Sequence, residues 1–346
     1  MGLSTAQRKQ MASVRKLIKS SDWADVKQGL MLLEAADDPQ LWAIMAEGVS
    51  VCEEGSLRVG VGEIHKRVKA RYRSTVALWA ARHAGALSTT TLDLSNSYSM
   101  LDISALTGLT TLHTLSLSAC SAVQDFTPLA SLINLRSLDL HFTAMADLRL
   151  LKGMQSLHTL SLRGCHSVMD LRPLAALSSL ETLNLSGCKS LVDLSGLNGL
   201  AHLSTLNLHL CKSVSDLRPL EGLVSLTDLD LSWCEGLVDL SPLRGMTRLT
   251  TLSLYKSPGL TDLRPLAALS NLQTINIRYC SSVVDLSPLE GLSRLKWLDI
   301  SHCHSVVDLS PLEGLSRLKW LNHSFCYSLQ ETNIQAALPG CTVINS

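Results

Sequence analysis

The chain has 346 residues, a formal net charge of zero and only 17% charged residues, so no global field favours nucleic acid or an anionic membrane. A hydrophobic fraction of 46% excludes a disordered chain, and no run of 18 or more apolar residues is present to span a bilayer. Charge is uneven, however: residues 1–86 carry thirteen Lys/Arg against nine Asp/Glu, about +4, and the remainder carries the compensating acid.

Residues 1–86 show helical punctuation and no repeat. A basic segment from Gln7 to Ile18 ends at Ser20-Ser21, and Ser21 or Asp22 can cap a second helix to Ala36. Asp38-Pro39 supplies a cap and a first-turn proline for a third helix through Trp42 and Met45. Ile64, Val68, Tyr72, Val76 and Trp79 form an apolar stripe at helical spacing, closed by Gly85. This block is expected to be an α-helical cap over the first of the repeats that begin at residue 87. The N-terminus lacks the apolar core of a secretory signal, and position 6 is not the Ser or Thr of a myristoylation site. A soluble, cytoplasmic protein is therefore expected.

From residue 87 onward one pattern recurs. Its lead leucines are Leu112, Leu135, Leu157, Leu180, Leu203, Leu226, Leu249, Leu272, Leu295 and Leu318, every step being 23 residues except one of 22. The short unit runs through His141-Phe142-Thr143, and the residue before the Cys column is read as the missing one. A degenerate eleventh copy precedes them at Leu92-Asp93-Leu94. Ser282 to Leu298 is identical to Ser305 to Leu321, which reads as a recent tandem duplication that supplies length more than chemistry. A 23-residue unit is too short to bury an apolar face alone, so the copies must stack.

Within each unit L-x-x-L-x-L alternates with period two, which predicts a short strand with leucines inward, and copies in register form a parallel sheet. The return half, as in Val238-Asp239-Leu240-Ser241-Pro242-Leu243, contains a proline that lacks a donor and fixes its backbone angle, so a single 3₁₀ turn is expected there. Cys120, Cys165, Cys188, Cys211, Cys234, Cys280, Cys303 and Cys326 share one register, where a small inward thiol can satisfy a backbone group of the loop. Free thiols in such a column fit a reducing compartment. The aspartates Asp125, Asp147, Asp170, Asp193, Asp216, Asp239, Asp262, Asp285 and Asp308 form a second column. They are read as acceptors for turn amides, since one carboxylate per rung lacks the oxygen cluster calcium requires. Asn333 to Ile344 reads as a short helix, a turn and a last strand, with His323 replacing the third leucine of the final repeat.

These units resemble leucine-rich repeats, specifically the internalin-like type with its I-x-D-I-x-P-L turn, written here Val-x-Asp-Leu-Ser-Pro-Leu. The Cys at the loop position also makes them similar to repeats of trypanosomatid and bacterial proteins. The resemblance covers 87–346 and implies a leucine-rich repeat solenoid of the α/β horseshoe type, with the sheet on a concave face and 3₁₀ turns on the convex side. The domains are then a helical block at 1–86, repeats at 87–330 and a cap at 331–346. Internalins bind host receptors at the cell surface. This sequence lacks their signal peptide, immunoglobulin-like module and wall-sorting tail, so that role is not carried over.

For function, the outward columns are mostly small and polar: Thr114, Thr159, Thr182, Thr205, Thr251 and Thr274 beside Ser116, Asn184, Asn207, Asp230, Asn276 and Asp299. Such columns hydrogen-bond along a sheet. Seven of the fourteen aromatics, Phe142, Trp233, Tyr255, Tyr279, Trp297, Trp320 and Phe325, fall at outward strand positions or the adjoining loop edge, joined by Arg278, His302, Asp228 and Asp230. Grouped exposed Trp, Tyr and Arg are what protein-binding hot spots are made of. The basic run Lys66-Arg67-Lys69-Arg71-Arg73 lies off its helix's apolar stripe and reads as a solvated face. No P-loop, nucleotide-binding glycine motif, H-E-x-x-H or C-x-x-C is present. His302-Cys303-His304 is not read as a metal site, because Cys303 belongs to the inward column. The expectation is a non-catalytic, monomeric scaffold that needs no cofactor and binds a protein partner on its concave face, with nucleic acid not expected. The alternative is a regulatory subunit whose helical block docks a catalytic partner or an acidic ligand.

Overall fold

The structure, a computed structural model, describes residues 90–98, 100–329 and 334–345, together with Gln28, Ser50–Val51 and Ser56–Arg58. The four helices expected before residue 86 lie outside the described residues, as does the basic run Lys66 to Arg73. By its own contacts the chain divides into two units, Met1–Thr143 and Ala144–Ser346.

In the first unit β1 (Ser50–Val51) pairs antiparallel with β2 (Ser56–Arg58), and β2 pairs parallel with β3 (Thr91–Asp93). Parallel pairing continues to β4 (Thr114–Ser116) and β5 (Ser137–Asp139). The degenerate copy at Leu92 is thus a true rung, in register with its neighbour through Leu92 and Leu115. Strands β1 and β2 interrupt a block that the sequence reads as helical throughout.

The second unit holds nine strands in sequence order, all parallel: β6 (Thr159–Ser161), β7 (Thr182–Asn184), β8 (Thr205–Asn207), β9 (Asp228–Asp230), β10 (Thr251–Ser253), β11 (Thr274–Asn276), β12 (Trp297–Asp299), β13 (Trp320–Asn322) and β14 (Thr342–Ile344). Each strand has three residues with the central leucine or isoleucine buried, up to the last, where Val343 is only half-buried. The short helix Ile334–Ala337 precedes β14, as the tail's pattern predicts. Among the described residues no helix is long and apolar enough to cross a membrane.

The return halves from Ser104 to Leu312 hold single 3₁₀ turns, such as Ser241–Leu243 and Arg264–Ala268 with proline at the start, while Ser104–Leu106, Leu148–Leu151 and Ser195–Leu197 have no proline. The aspartate column caps these turns. Asp239 Oδ1 accepts from the Ser241 amide at 2.8 Å and Asp262 Oδ1 from that of Arg264 at 2.9 Å, and all nine aspartates repeat the contact. An oxygen three bonds from Cα reaches the amide two residues on, which would otherwise face solvent unpaired.

The cysteine column is buried, and all nine cysteines among the described residues are free thiols. Its hydrogen bonds run to a different acceptor from the one the sequence suggests. Thiols donate to the rung before their own, as in Cys211 Sγ to the Leu185 carbonyl at 3.1 Å and Cys303 Sγ to that of Ile277 at 3.0 Å, and Cys120 Sγ also lies 3.9 Å from the Ser118 carbonyl of its own loop. Seven cysteines repeat this link across 26 residues. Burial pushes the thiols up, Cys120 and Cys211 to about 11 and Cys234 and Cys280 to about 12. In the short unit Thr143 occupies the cysteine place, buried, with its hydroxyl donating to the Leu140 carbonyl at 2.7 Å. The residue absent there therefore falls after this column, between Thr143 and Asp147, and not before it.

Candidate functional site

The residue just before each cysteine has a left-handed backbone. Ala119, Phe142, Leu210, Trp233, Lys256, Tyr279, His302 and Phe325 hold φ between +54° and +63°, and in two rungs Gly164 and Gly187 take the place at +67° and +72°. The hydrogen bonding requires it. At this position the chain turns out of the strand, yet its amide still donates to the neighbouring rung, as Trp233 N does to the Tyr255 carbonyl at 2.7 Å and Tyr279 N to the Ser301 carbonyl at 3.0 Å. A left-handed residue with a Cβ costs roughly 1–2 kcal/mol relative to glycine. Glycine would fill every rung at lower conformational cost, but this chain places aromatic or cationic side chains there from Trp233 onward.

Those side chains meet. Trp233 is edge-on to Tyr255 at 5.8 Å, and Tyr255 is tilted against Tyr279 at 5.8 Å. Tyr279 stacks on His302 at 4.0 Å, and His302 stacks on Phe325 at 4.5 Å. His304 and Tyr327, two residues beyond the left-handed column, stack at 5.2 Å, and His304 is edge-on to His302 at 5.9 Å. The result is one continuous run of seven rings along the loop edge. Cations attach to its near end: Lys256 Nζ lies 3.5 Å above the Trp233 ring, Lys212 Nζ 5.3 Å from it, and the Arg278 guanidinium 5.2 Å from Tyr279 and 6.0 Å from Tyr255. Loss of water together with the charge of Arg278 holds His302 below the usual histidine value.

Of the residues the sequence singles out, Trp233, Tyr255, Tyr279, Arg278, His302 and Phe325 therefore come together, on the loop after the strand and not on the strand itself. Trp297 and Trp320 do lie on strands, in β12 and β13, where they stack on each other at 4.5 Å with planes 2° apart. Phe142 lies in the first unit, edge-on to His141 at 5.3 Å. Asp228 accepts from the Thr227 hydroxyl at 2.7 Å and Asp230 from the Ser232 amide at 2.9 Å. The Asn/Asp column consequently does not hydrogen-bond along the sheet as expected. Asn184, Asn207, Asp230, Asn276 and Asp299 each accept the amide two residues on and fix the exit from the strand. Sequence reasoning missed Lys212, Lys256, His304 and Tyr327. The signal for Lys256 was its 23-residue spacing from Trp233 and Tyr279, and for His304 and Tyr327 their 23-residue spacing from each other.

A scan against protein-family models finds no match, and neither does a search of curated proteins. Among solved structures, an internalin (inlF) from Listeria monocytogenes is similar at a TM-score of 0.62 and 25% identity, covering 80% of this chain and 86% of that one. A chain of the mouse RP105/MD-1 complex is similar in fold at a TM-score of 0.56 and 22% identity, over 75% of this chain and 47% of that one. Together with parallel strands recurring every 23 residues and a 3₁₀ turn in each return, the chain has the architecture of a leucine-rich repeat protein.

Proposed function

We propose that the chain is a non-catalytic, cytoplasmic, monomeric protein-interaction module that binds a protein partner through the ring-lined loop edge and the adjoining sheet face. One observation carries this reading: from Trp233 to Phe325 rings occupy four of the five left-handed positions, with Lys256 in the other, where glycine is the residue of lowest strain. Strain retained at a row of side chains that are half-buried at Trp233, Tyr279 and His302 and exposed at Phe325 points to a role beyond folding. Rings of this kind supply large, stiff contact area at low entropic cost. The cytoplasmic assignment rests on the free thiols. The likeness to an internalin and to a chain of a two-protein complex supports protein binding and leaves the partner's identity open.

The test is affinity capture with wild-type protein and with a variant carrying Trp233→Ala, Tyr255→Ala and Tyr279→Ala as baits, followed by titration of the captured partner. The variant should bind weaker by about 2 kcal/mol or more, with a much smaller change in melting temperature. Equal binding by the two baits would exclude the loop edge as the interface.

A further inference from the structure

Four arginines of the second unit and one of this run behave differently. Arg149, Arg172, Arg218 and Arg264 each fork onto the aspartate of their own 3₁₀ turn at 2.7–2.8 Å. Arg278 has no such partner among the described residues. Its Nε is buried with no hydrogen-bond partner, and the guanidinium rests against two tyrosine rings. Lys256 is likewise held over Trp233 without a carboxylate within bridging distance among the described residues, whereas Lys212 is paired with Glu235 at 2.8 Å. A guanidinium lying against aromatic rings keeps a fixed direction, and its donors remain unmet. Two cations thus sit preoriented on adjacent rungs, whose backbones are about 4.8 Å apart.

The rings narrow the choice of ligand. Tyr279, His302 and Phe325 turn their faces to one another, so those faces are closed to nucleobases and sugars, and the hydrogen-bearing edges with partial positive charge are what solvent meets. Along this edge the cations Lys212, Lys256 and Arg278 oppose the single acid Glu235, three against one, for a net of +2 with histidines neutral. The acids of the neighbouring sheet face, Asp228, Asp230 and Asp299, are held in hydrogen bonds of their own and would turn a partner's carboxylates away from the sheet and toward the loop edge.

We infer that the loop edge from Trp233 to Phe325 receives an extended acidic segment of a protein partner, with Arg278 and Lys256 taking its carboxylates and the ring edges lining its path. This rests on the protein-binding reading and specifies the chemistry of the partner. The experiment uses the full chain on an array of ten-residue peptides in which Glu content rises from none to six, with Gln and Lys counterparts, and an oligothymidylate of ten nucleotides in parallel. Capture should rise with Glu content. Arg278→Gln should weaken it about tenfold, as loss of charge-assisted bonds does, and Lys256→Gln should do likewise, whereas Arg264→Gln, which removes a cation paired with Asp262 on a 3₁₀ turn, should leave it unchanged. Thermal melts establish that each variant is folded. Indifference to Glu content, or acidic capture that survives Arg278→Gln, overturns the proposal. Preference for neutral or basic peptides, lost on the ring substitutions, overturns the acidic partner and leaves the protein-binding reading intact. Arg278-dependent capture of the oligothymidylate without peptide capture reassigns the anion to a nucleic-acid phosphate and overturns both.

Discussion

His302 stacks on Tyr279 with ring centroids 4.0 Å apart and planes 7° apart, although the two stand one repeat apart in sequence and both hold φ at +60°. The stack and the strain have the same origin. Parallel rungs bring equivalent positions within ring-stacking distance, and the left-handed turn after the strand points each side chain outward along the same edge.

The strain is measurable. Tyr279→Gly removes both the ring and the Cβ that crowds a left-handed backbone, while Tyr279→Ala removes the ring alone. Relief of about 1–2 kcal/mol on removing the Cβ, less about 0.4–1 kcal/mol for the greater freedom of an unfolded glycine, leaves the Gly variant more stable than the Ala variant by about 0.5–1 kcal/mol. Chemical denaturation of the two variants decides it. A Gly variant less stable than the Ala variant by about 0.4–1 kcal/mol would mean that this backbone carries no strain and would remove the support that strain gives to a binding role.

Besides Thr143, the thiol column from Cys120 to Cys326 is interrupted at one further rung. Ser257 stands in the cysteine place, fully buried, with an Oγ that finds no hydrogen-bond partner. By the 26-residue offset of the other rungs its acceptor would be the carbonyl of Leu231, which the longer Cβ–Sγ bond of cysteine can reach. Ser257→Cys should raise stability by about 1 kcal/mol, the net worth of one buried hydrogen bond. The added thiol, like the eight of the column, should resist a thiol reagent at pH 8 until the protein unfolds, because burial disfavours the reactive thiolate. Rapid labelling of the native column would contradict the buried ladder.

The capping aspartates set the acid limit. Hydrogen bonds from the Arg172 and Arg218 side chains, then from their amides, bring Asp170 and Asp216 down to about 2, and Asp125, Asp147, Asp193, Asp262 and Asp308 are lowered for similar reasons. Their folded values lie below the unfolded value near 4. Their contribution is therefore complete above about pH 5 and is lost as pH falls through 4 toward 2. Asp216→Asn keeps an acceptor for the Arg218 amide but has no charge to titrate. It should lower the melting temperature slightly at pH 7, converge with the wild type near pH 2 and so make the acid limb shallower, more visibly at low salt because the groups are exposed. An unchanged acid limb would show that this carboxylate does not set it.

Much of this was legible in the sequence because a repeat makes each residue's environment a column property. Strand, 3₁₀ return, inward cysteines and capping aspartates all follow from period and chemistry at single positions. The site was legible only in part. Trp233 and Tyr279 stand out by residue type, but grouping them with Trp297 and Trp320 treated the sheet face and the loop edge as one surface. The sequence pattern carries no mark of the left-handed turn between them, since only Gly164 and Gly187 betray it and the other rungs fill it with side chains that disguise it. Arg278 stood out by type, but its lack of an acid partner depends on which rungs adjoin it, and that is a property of stacking.

His323 stands where the earlier repeats place their third inward leucine or isoleucine, and its backbone amide donates to the Ile344 carbonyl at 2.9 Å, holding β14. Its Nε2 is buried without a partner, and desolvation holds the imidazole below its ordinary value. A histidine lowered in the folded state binds its proton more readily when unfolded. The neutral ring's stability is therefore fully present above about pH 6.5 and declines as pH falls through that value. His323→Leu removes the unpaired nitrogen and restores the leucine pattern, so it should stabilise the chain by about 1 kcal/mol at pH 7.5. The gain should be larger at pH 5.5, where the wild type must protonate a half-buried ring or unfold its last rungs. Melting curves of both proteins at the two pH values, followed by the fluorescence of Trp320 on the adjoining strand, measure this. A gain that is equal at both pH values would mean that His323 does not titrate between them, and a loss of stability would mean that the imidazole makes a contact that leucine cannot replace.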